Sequence, residues 1–439
     1  MARTCLIQTV GTGGPENPVW EALAFIARQI NPDVLIQCCS KKTQRETIPK
    51  FDTCIDEAES ARWNRQIRTC DDEEDVVTLT REYSAIIDEL MREDPGTRIV
   101  ADYTSGTKAM SAALVAAGVA RGISLLEYAT GDRDRTGRVT RTTGTRSLSP
   151  ADLVAERRLD LLGDLFNLGQ YESVREEAKD LAQRVKAANL QTRAGTLAEL
   201  AGVYHSWDLF DWKAAFSALK DLTCKNKEEF ENAGWDVELL GKQCHHLKRC
   251  KEGKKRYSND RIVDLLASAE RCCKRGRYDD CVARLYRLIE MIGQARLADK
   301  EHGIKNTSKA RLSEIKYLAP RYAEKQTHWT EGQNIKLGLR DNIEILFEAE
   351  DPVGMFLGER YGLESGSKDA PLKDLLDRRN GSLLAHGEQP VCECTAQKLL
   401  AIARDAVRMH VGNTDTLDEL LRAATFTLCP WVSDVRRNL

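Results

Sequence analysis

The chain has 439 residues, of which 30% are charged and 42% hydrophobic, with a formal net charge of −3 and an isoelectric point near 6.3. That length suffices for two or three domains of a globular protein. The charge balance gives no global sign of nucleic-acid binding, so any such contact must be local. No apolar run reaches the roughly 18 residues that would suggest a membrane span.

Residues 1–130 alternate strand-like and helix-like segments. The hydrophobic pattern predicts strands at Thr4–Val10, Asp33–Cys39, Gln66–Cys70, Arg98–Tyr103 and Ser124–Ala129. Between the first two, Val19, Trp20, Leu23, Ile26, Ala27 and Ile30 recur at helical spacing. Val76, Val77, Tyr83, Ile86, Ile87, Leu90 and Met91 line a second helix. Such alternation implies an α/β, Rossmann-like, doubly wound parallel sheet. The polar stretch from Gly131 to Thr145 reads as a final hairpin or edge extension.

From Pro150 the strand signals vanish and helical periodicity continues to the end. We expect an α/β domain over 1–148, a helical linker domain over 149–254 and a helical bundle over 255–439. In the linker, Leu165–Tyr171 and Phe210–Ala215 look loosely like turns of helical hairpins, without a regular repeat. Lys248–Arg256 carries six basic residues among nine. A solvated helix end is the plainer reading, and an RNA- or dimer-facing patch the functional one. Further on, Val282, Leu285, Leu288, Ile289 and Ile292 share one face of a strong amphipathic helix.

Two turns in the α/β part carry polar chemistry. Asp102-Tyr103-Thr104-Ser105-Gly106-Thr107-Lys108 follows a buried-strand pattern and opens an Ala-rich helix. Backbone N–H groups at such a helix start favour anions, and three hydroxyls and a lysine add donors. The first strand is followed by Thr9-Val10-Gly11-Thr12-Gly13-Gly14. In an open parallel sheet, ligands sit where such turns meet. Gly11 and Gly13 fit a dinucleotide fingerprint, but Glu16 takes the third glycine position, and Ser40, Lys41 and Lys42 stand where a ribose-binding acid belongs. No Gly-Lys-Ser/Thr follows Gly14, so this is no P-loop.

Near the C-terminus stands Arg379-Asn380-Gly381-Ser382-Leu383-Leu384-Ala385-His386. An arginine can hold a phosphate through two parallel hydrogen bonds, and a histidine moves protons near neutral pH. On one helix the two Cα atoms would lie about 10.5 Å apart along the axis. Gly381 could instead break the helix and let Ser382 cap a new one. The plain alternative is that His386-Gly387 merely ends a helix. Arg378 is a spare cation outside the motif.

The Arg-Asn…His segment resembles the HEPN ribonuclease signature, and the two upstream turns resemble the CARF domain, the sensor of type III CRISPR systems. CARF followed by HEPN is the arrangement of the cyclic-oligoadenylate-activated CRISPR ribonucleases. The resemblance covers about residues 1–145 and 255–439. It implies a cyclic oligoadenylate activator, with cyclic tetra-adenylate favoured, held by Gly11, Thr12, Gly13, Thr104, Ser105, Gly106, Thr107 and Lys108. It implies a homodimer, which suits a rotationally symmetric ligand, and a composite site in which two Arg–His pairs face each other. There Arg379, Asn380 and His386 would cleave single-stranded RNA without a metal or other cofactor. The competing hypotheses are a non-catalytic sensor that acts through a partner, and a nicotinamide oxidoreductase, which the departures at Glu16 and Ser40 argue against.

The 14 cysteines follow no secretory signal, so a cytoplasmic chain with reduced thiols is expected. Cys244-His245-His246 with Cys250, and Cys392-Glu393-Cys394, contain metal-ligand residue types, but neither has a standard paired spacing. His205, beside Tyr204 and Trp207 in an aromatic-rich helix, reads as packing, and His302, His328 and His410 lack an evident partner in sequence.

Overall fold

The computed structural model describes residues 3–133, 135, 139–252, 257–363, 370–380 and 388–432. The N-terminal elements run β1 (Thr4–Val10), α1 (Val19–Ile30), β2 (Val34–Cys39), α2 (Lys41–Glu46), α3 (Ile48–Cys54), α4 (Glu57–Arg62), β3 (Asn64–Thr69), α5 (Val76–Glu93), β4 (Arg98–Asp102), α6 (Lys108–Arg121), β5 (Leu125–Arg133) and β6 (Val139–Leu148). They form one six-stranded sheet in the order β3-β2-β1-β4-β5-β6. The first five strands are parallel, and β6 returns antiparallel to β5 as the edge hairpin expected from the polar Arg- and Thr-rich stretch.

Alternation along the strands explains why both faces are covered. Cys5 and Ile7 of β1 pack with α5 and α6, whereas Leu6 and Val10 pack with α1 and α3. A strand buried on both sides reads as an unbroken apolar run, which is the signature of a central parallel strand. The expected strands lie where the pattern placed them, within two residues at each start. The three short helices between β2 and β3 had no periodic signal. Their starts are local: Ser40 and Thr43 form a reciprocal cap on α2, and Asp56 and Glu59 do the same on α4.

The rest of the chain is helical: α7 (Pro150–Asn167), α8 (Tyr171–Arg184), α9 (Ala188–Asp208), α10 (Trp212–Lys225), α11 (Lys227–Asn232), α12 (Val237–Glu252), α13 (Asn259–Lys274), α14 (Tyr278–Leu297), α15 (Leu312–Leu318), α16 (Pro320–Lys325), α17 (Leu339–Glu348), α18 (Pro352–Tyr361), α19 (Pro371–Asn380), α20 (Glu393–Val411) and α21 (Thr414–Ala424). The chain divides into two compact units, residues 1–163 with 176–195, and residues 164–175 with 196–439. In the second, Val282, Leu285, Leu288, Ile289 and Ile292 of α14 are all buried in one core with α13 and α20, as their spacing predicts. Among the described residues no helix is long and apolar enough to cross a membrane. Of the basic run, Lys248–Glu252 ends α12, and Gly253–Arg256 lie outside the described residues.

The strand order places a crossover reversal between β1 and β4, so the turns that leave these strands open side by side. They touch closely: a Cβ on Gly11 would stand 2.6 Å from the Gly106 backbone nitrogen. By contrast, a Cβ on Gly14 meets nothing within 4 Å. Gly11→Ala should therefore destabilise the sheet unit by roughly 1–3 kcal/mol, the usual cost of overpacking. Gly14→Ala should stay within about 0.5 kcal/mol of wild type. Urea denaturation followed by a probe in the sheet unit checks both, and equal effects would refute the steric reading.

Candidate functional site

The two turns are joined by their own hydroxyls. The Ser105 hydroxyl donates to the Thr9 carbonyl at 2.8 Å and accepts from the Gly11 N–H at 3.0 Å. The Thr9 hydroxyl returns a bond to the Ser105 carbonyl. Thr107 is the N-cap of α6: its oxygen accepts from the Met110 N–H at 3.1 Å and its hydroxyl donates to the Glu73 carbonyl at 2.6 Å. Thr104 accepts from the Ala129 N–H at 2.8 Å and donates to Asp102. Gly106 has φ +103°, a conformation that suits glycine and lets the chain turn under Thr9.

These bonds sort the residues expected to hold a ligand. The hydroxyls of Thr104, Ser105 and Thr107 are engaged in building the turns. Thr12, Gly13 and Lys108 are exposed at the same end of the sheet, with Lys108 at the first position of α6. Lys108 makes no ion pair among the described residues, so it stands at a helix N-terminus with its charge available. Thr47 holds the first turn from the other side, its hydroxyl donating to the Gly11 carbonyl at 2.9 Å.

A cleft of about 260 Å³ opens beside these turns, lined by Asn17, Glu21, Tyr103, Thr104, Tyr128 and Thr140, among others. Of the sequence-predicted ligand residues only Thr104 lines it. Tyr103 and Tyr128 face each other there with ring centroids 5.3 Å apart. Sequence reasoning assigned neither tyrosine. Tyr103 sat unremarked inside the quoted motif, and Tyr128 reaches it only through the β4–β5 pairing, in which Asp102 stands opposite Glu127.

Beneath the cleft runs a chain of buried polar groups. Arg65 donates to Gln37 at 2.8 Å, Gln37 to Gln8 at 3.3 Å, and Gln8 to Asp102 at 2.9 Å. Asp102 in turn accepts from the Thr104 N–H at 2.9 Å. Burial pushes the Asp102 carboxyl up to about 6; the bonds from Thr104 and Gln8 oppose this and nearby Glu127 adds to it.

The second candidate site lies on α19. Leu372, Leu375 and Leu376 are buried and fix this helix to the bundle core, so its last residues, Arg378, Arg379 and Asn380, lie beyond the anchor. Arg378 reaches Thr395 on α20 at 3.5 Å. The side chain of Arg379, and all of Gly381–Gly387 including His386, lie outside the described residues. Asn380 is exposed and engaged in an interaction. Just beyond stands Cys392, the N-cap residue of α20, whose thiol is held below its ordinary value by hydrogen bonding from Thr395.

The chain contains another Arg and His at nearly the same separation, Arg296 and His302, six positions apart against seven. Arg296 donates to the buried Asp351 at 2.8 Å, and His302 lies 3.7 Å from the same carboxylate. Asp351 also accepts from the N–H groups of Val353 and Gly354 as the cap of α18. This pair is consumed in holding two helices together. Burial, followed by the charge of Arg296, drives nearby His410 down to about 4, so it stays neutral at physiological pH.

A parallel sheet with polar turns at its switch point, followed by a helical bundle that carries Arg-Asn…His, defines the sensor–effector class of CARF–HEPN proteins. Residues 155–251 match the family model described as the Csm6 6H domain, and residues 250–410 that of the Csm6 HEPN domain. The structure is similar to that of Enterococcus italicus Csm6 bound to cyclic hexa-2′-fluoro-hexa-dAMP, with a TM-score of 0.60 and 13% identity over 96% of this chain and 98% of that one. A second match is Can2 from Sulfobacillus thermosulfidooxidans in complex with cyclic tetra-adenylate, at 13% identity and a TM-score of 0.23 over 48% of this chain and 68% of that one. No curated protein matches the sequence. The chain belongs to the CARF–HEPN ribonuclease family of type III CRISPR systems.

Asp102 yields a pH prediction. Its folded value of about 6 lies above the ordinary 3.8, so the folded chain binds this proton more tightly than the unfolded one. The stability it contributes is full below about pH 3.8 and is lost as pH rises through about 6. The stability of wild type relative to Asp102→Asn should therefore fall by roughly 2–2.5 kcal/mol between pH 4 and 7. Denaturation curves across that range measure the difference, and a flat difference would overturn the assignment.

Proposed function

We propose that this chain is a homodimeric, cytoplasmic endoribonuclease that cleaves single-stranded RNA without a metal when a cyclic oligoadenylate binds its sensor. The three domains expected from sequence, 1–148, 149–254 and 255–439, are retained as the sensor, linker and nuclease of this reading. The observation that carries it is the pairing of an anion-suited double turn with an Arg-Asn…His motif on a HEPN-family bundle. The solved Csm6 relative, which shares the fold, holds a six-membered cyclic oligonucleotide analogue. Resemblance favoured a ring of four, so both ring sizes belong in the assay.

In this reading Lys108, Thr12 and the α6 N-terminus face the phosphates, and the tyrosine-lined cleft accepts a base. A rotationally symmetric ligand touches both subunits when it lies on their two-fold axis. In the nuclease, His386 takes the proton of the ribose 2′-hydroxyl or gives one to the leaving 5′-oxygen. Arg379 neutralises charge that develops on the phosphate, and Asn380 orients the phosphate or His386. Attack by the 2′-oxygen on its own phosphodiester yields a 2′,3′-cyclic phosphate and a 5′-hydroxyl. Two motifs facing across the dimer supply the second Arg–His pair that one subunit lacks.

His386→Ala should lower RNA cleavage by about 10²- to 10⁴-fold, the usual cost of losing a positioned acid or base, with activator binding unchanged. Brief EDTA treatment should leave wild-type cleavage unaltered. Near-normal cleavage by the variant, or a strict requirement for added divalent ions, would locate the chemistry elsewhere.

Lys108→Ala should weaken cyclic oligoadenylate binding by roughly 1.5–3 kcal/mol per contact, and by more in a dimer where the change acts twice. Saturating activator should largely restore maximal cleavage, because Lys108 takes no part in the chemistry. Calorimetry with rings of four and six adenylates, beside an RNA cleavage assay, separates the outcomes. If the wild-type protein binds neither ring, the sensor reading fails. Normal binding by the variant without activation would make Lys108 a transmitter of the signal.

A further inference from the structure

We propose that His246, Cys250 and Asp264 form a site for a divalent transition metal, zinc by their ligand chemistry, that staples α12 to α13. His246 and Cys250 are four residues apart and share one face of α12, and Asp264 lies on α13. All three are fully buried. His246 Nε2 lies 3.3 Å from Asp264 Oδ1 and 3.5 Å from Cys250 Sγ, and all three ligand atoms fall within 4.8 Å of one another. Tetrahedral zinc, with bonds of about 2.0–2.3 Å to N, O and S, places its ligand atoms roughly 3.3–3.6 Å apart.

The surroundings fit ligation as well. The indole N–H of Trp207 donates to Asp264 Oδ1 at 2.7 Å, and that of Trp212 to Oδ2 at 2.8 Å. These donors fix the carboxylate plane, and each oxygen has a second lone pair. On the far side of the imidazole, His246 Nδ1 is buried without a hydrogen bond and lies 3.6 Å from Asp260 Oδ1. Asp260 is itself held by Arg249 at 2.6 Å. A metal-bound imidazole carries its proton on the other nitrogen and donates it to a carboxylate, and Asp260 is placed to receive it. A metal-free His–Asp pair would explain the contact with Asp264. It would not explain why the Cys250 thiol converges on the same nitrogen, at 3.5 Å.

A mixed imidazole, thiolate and carboxylate set selects zinc over magnesium or calcium, which take oxygen ligands. With every ligand buried, the role is structural. Metal binding replaces the thiol proton of Cys250 and any proton on His246 Nε2; these protons pass to solvent and no electrons move. The sequence had flagged the Cys244–Cys250 run without a standard spacing. The structure selects His246 and Cys250 from it, leaves His245 exposed, and brings the third ligand from the next helix. The proposal rests on neither the activator nor the nuclease reading.

The test is elemental analysis of the untagged full-length protein, with X-ray absorption of any bound zinc. We expect about one zinc per chain with a sulfur in its shell. Refolding with cobalt(II) should give a thiolate-to-cobalt charge-transfer band that persists in Cys244→Ser and disappears in Cys250→Ser. Metal-free protein that is folded by circular dichroism and shows no cobalt spectrum would overturn the site. So would an all-oxygen shell, or a charge-transfer band that survives Cys250→Ser. The wild-type stoichiometry and absorption spectrum decide the matter even if Cys250→Ser fails to fold.

Discussion

The sensor end of this molecule depends on one close approach, that of the turn after β1 to the turn after β4. Gly11 lets the backbones meet, and Ser105 stitches them by giving one hydrogen bond and taking another. Because β1 and β4 are neighbours in register, with Gln8 opposite Asp102, the stitch adds little strain to the sheet. Its effect is positional. It fixes where α6 begins, and so where the N–H groups of that helix and the Lys108 charge stand. A site that must recognise phosphate gains more from fixed donors than from additional ones, since ordering loose donors on binding costs entropy.

That geometry explains which residues the sequence could reveal and which it could not. Strand positions were legible because each central strand is an apolar run bounded by polar turns. The α14 core face was legible because burial follows the helical period. Hydroxyl usage was not legible. Thr104, Ser105 and Thr107 look alike in sequence as ligand donors, yet their hydroxyls donate to the Asp102 carboxyl, the Thr9 carbonyl and the Glu73 carbonyl. Whether a hydroxyl faces a ligand or the backbone depends on strand register and on partners many residues away. The same holds for the Tyr103–Tyr128 pair, and for Asp264, which meets His246 from the next helix.

The polar chain Arg65–Gln37–Gln8–Asp102–Thr104 crosses four strands beneath the cleft. Paired polar groups of this kind stiffen an interior; Gln37, Gln8 and Asp102 are paired, whereas Arg65 Nη2 has no hydrogen-bond partner among the described residues. The polar chain ends on the turn that holds Thr104. Asp102 thus joins the buried chain to that turn through the N–H and hydroxyl of Thr104. A ligand can shift activity only through a difference in affinity between two states of the protein.

The helical part shows why a motif alone is a poor guide. Arg296 and His302 come within one position of the Arg379–His386 separation, but Asp351 takes the arginine, and the same carboxylate caps α18. Arg379 differs by position. It comes near the end of α19, after three leucines have anchored that helix. A helix C-terminus favours a cation there without help from an acid. An arginine that must hold a phosphate has to be fixed at its backbone yet unclaimed at its guanidinium. Burial of the leucine face supplies the first condition. Packing thus assigns the Arg296–His302 pair to the fold.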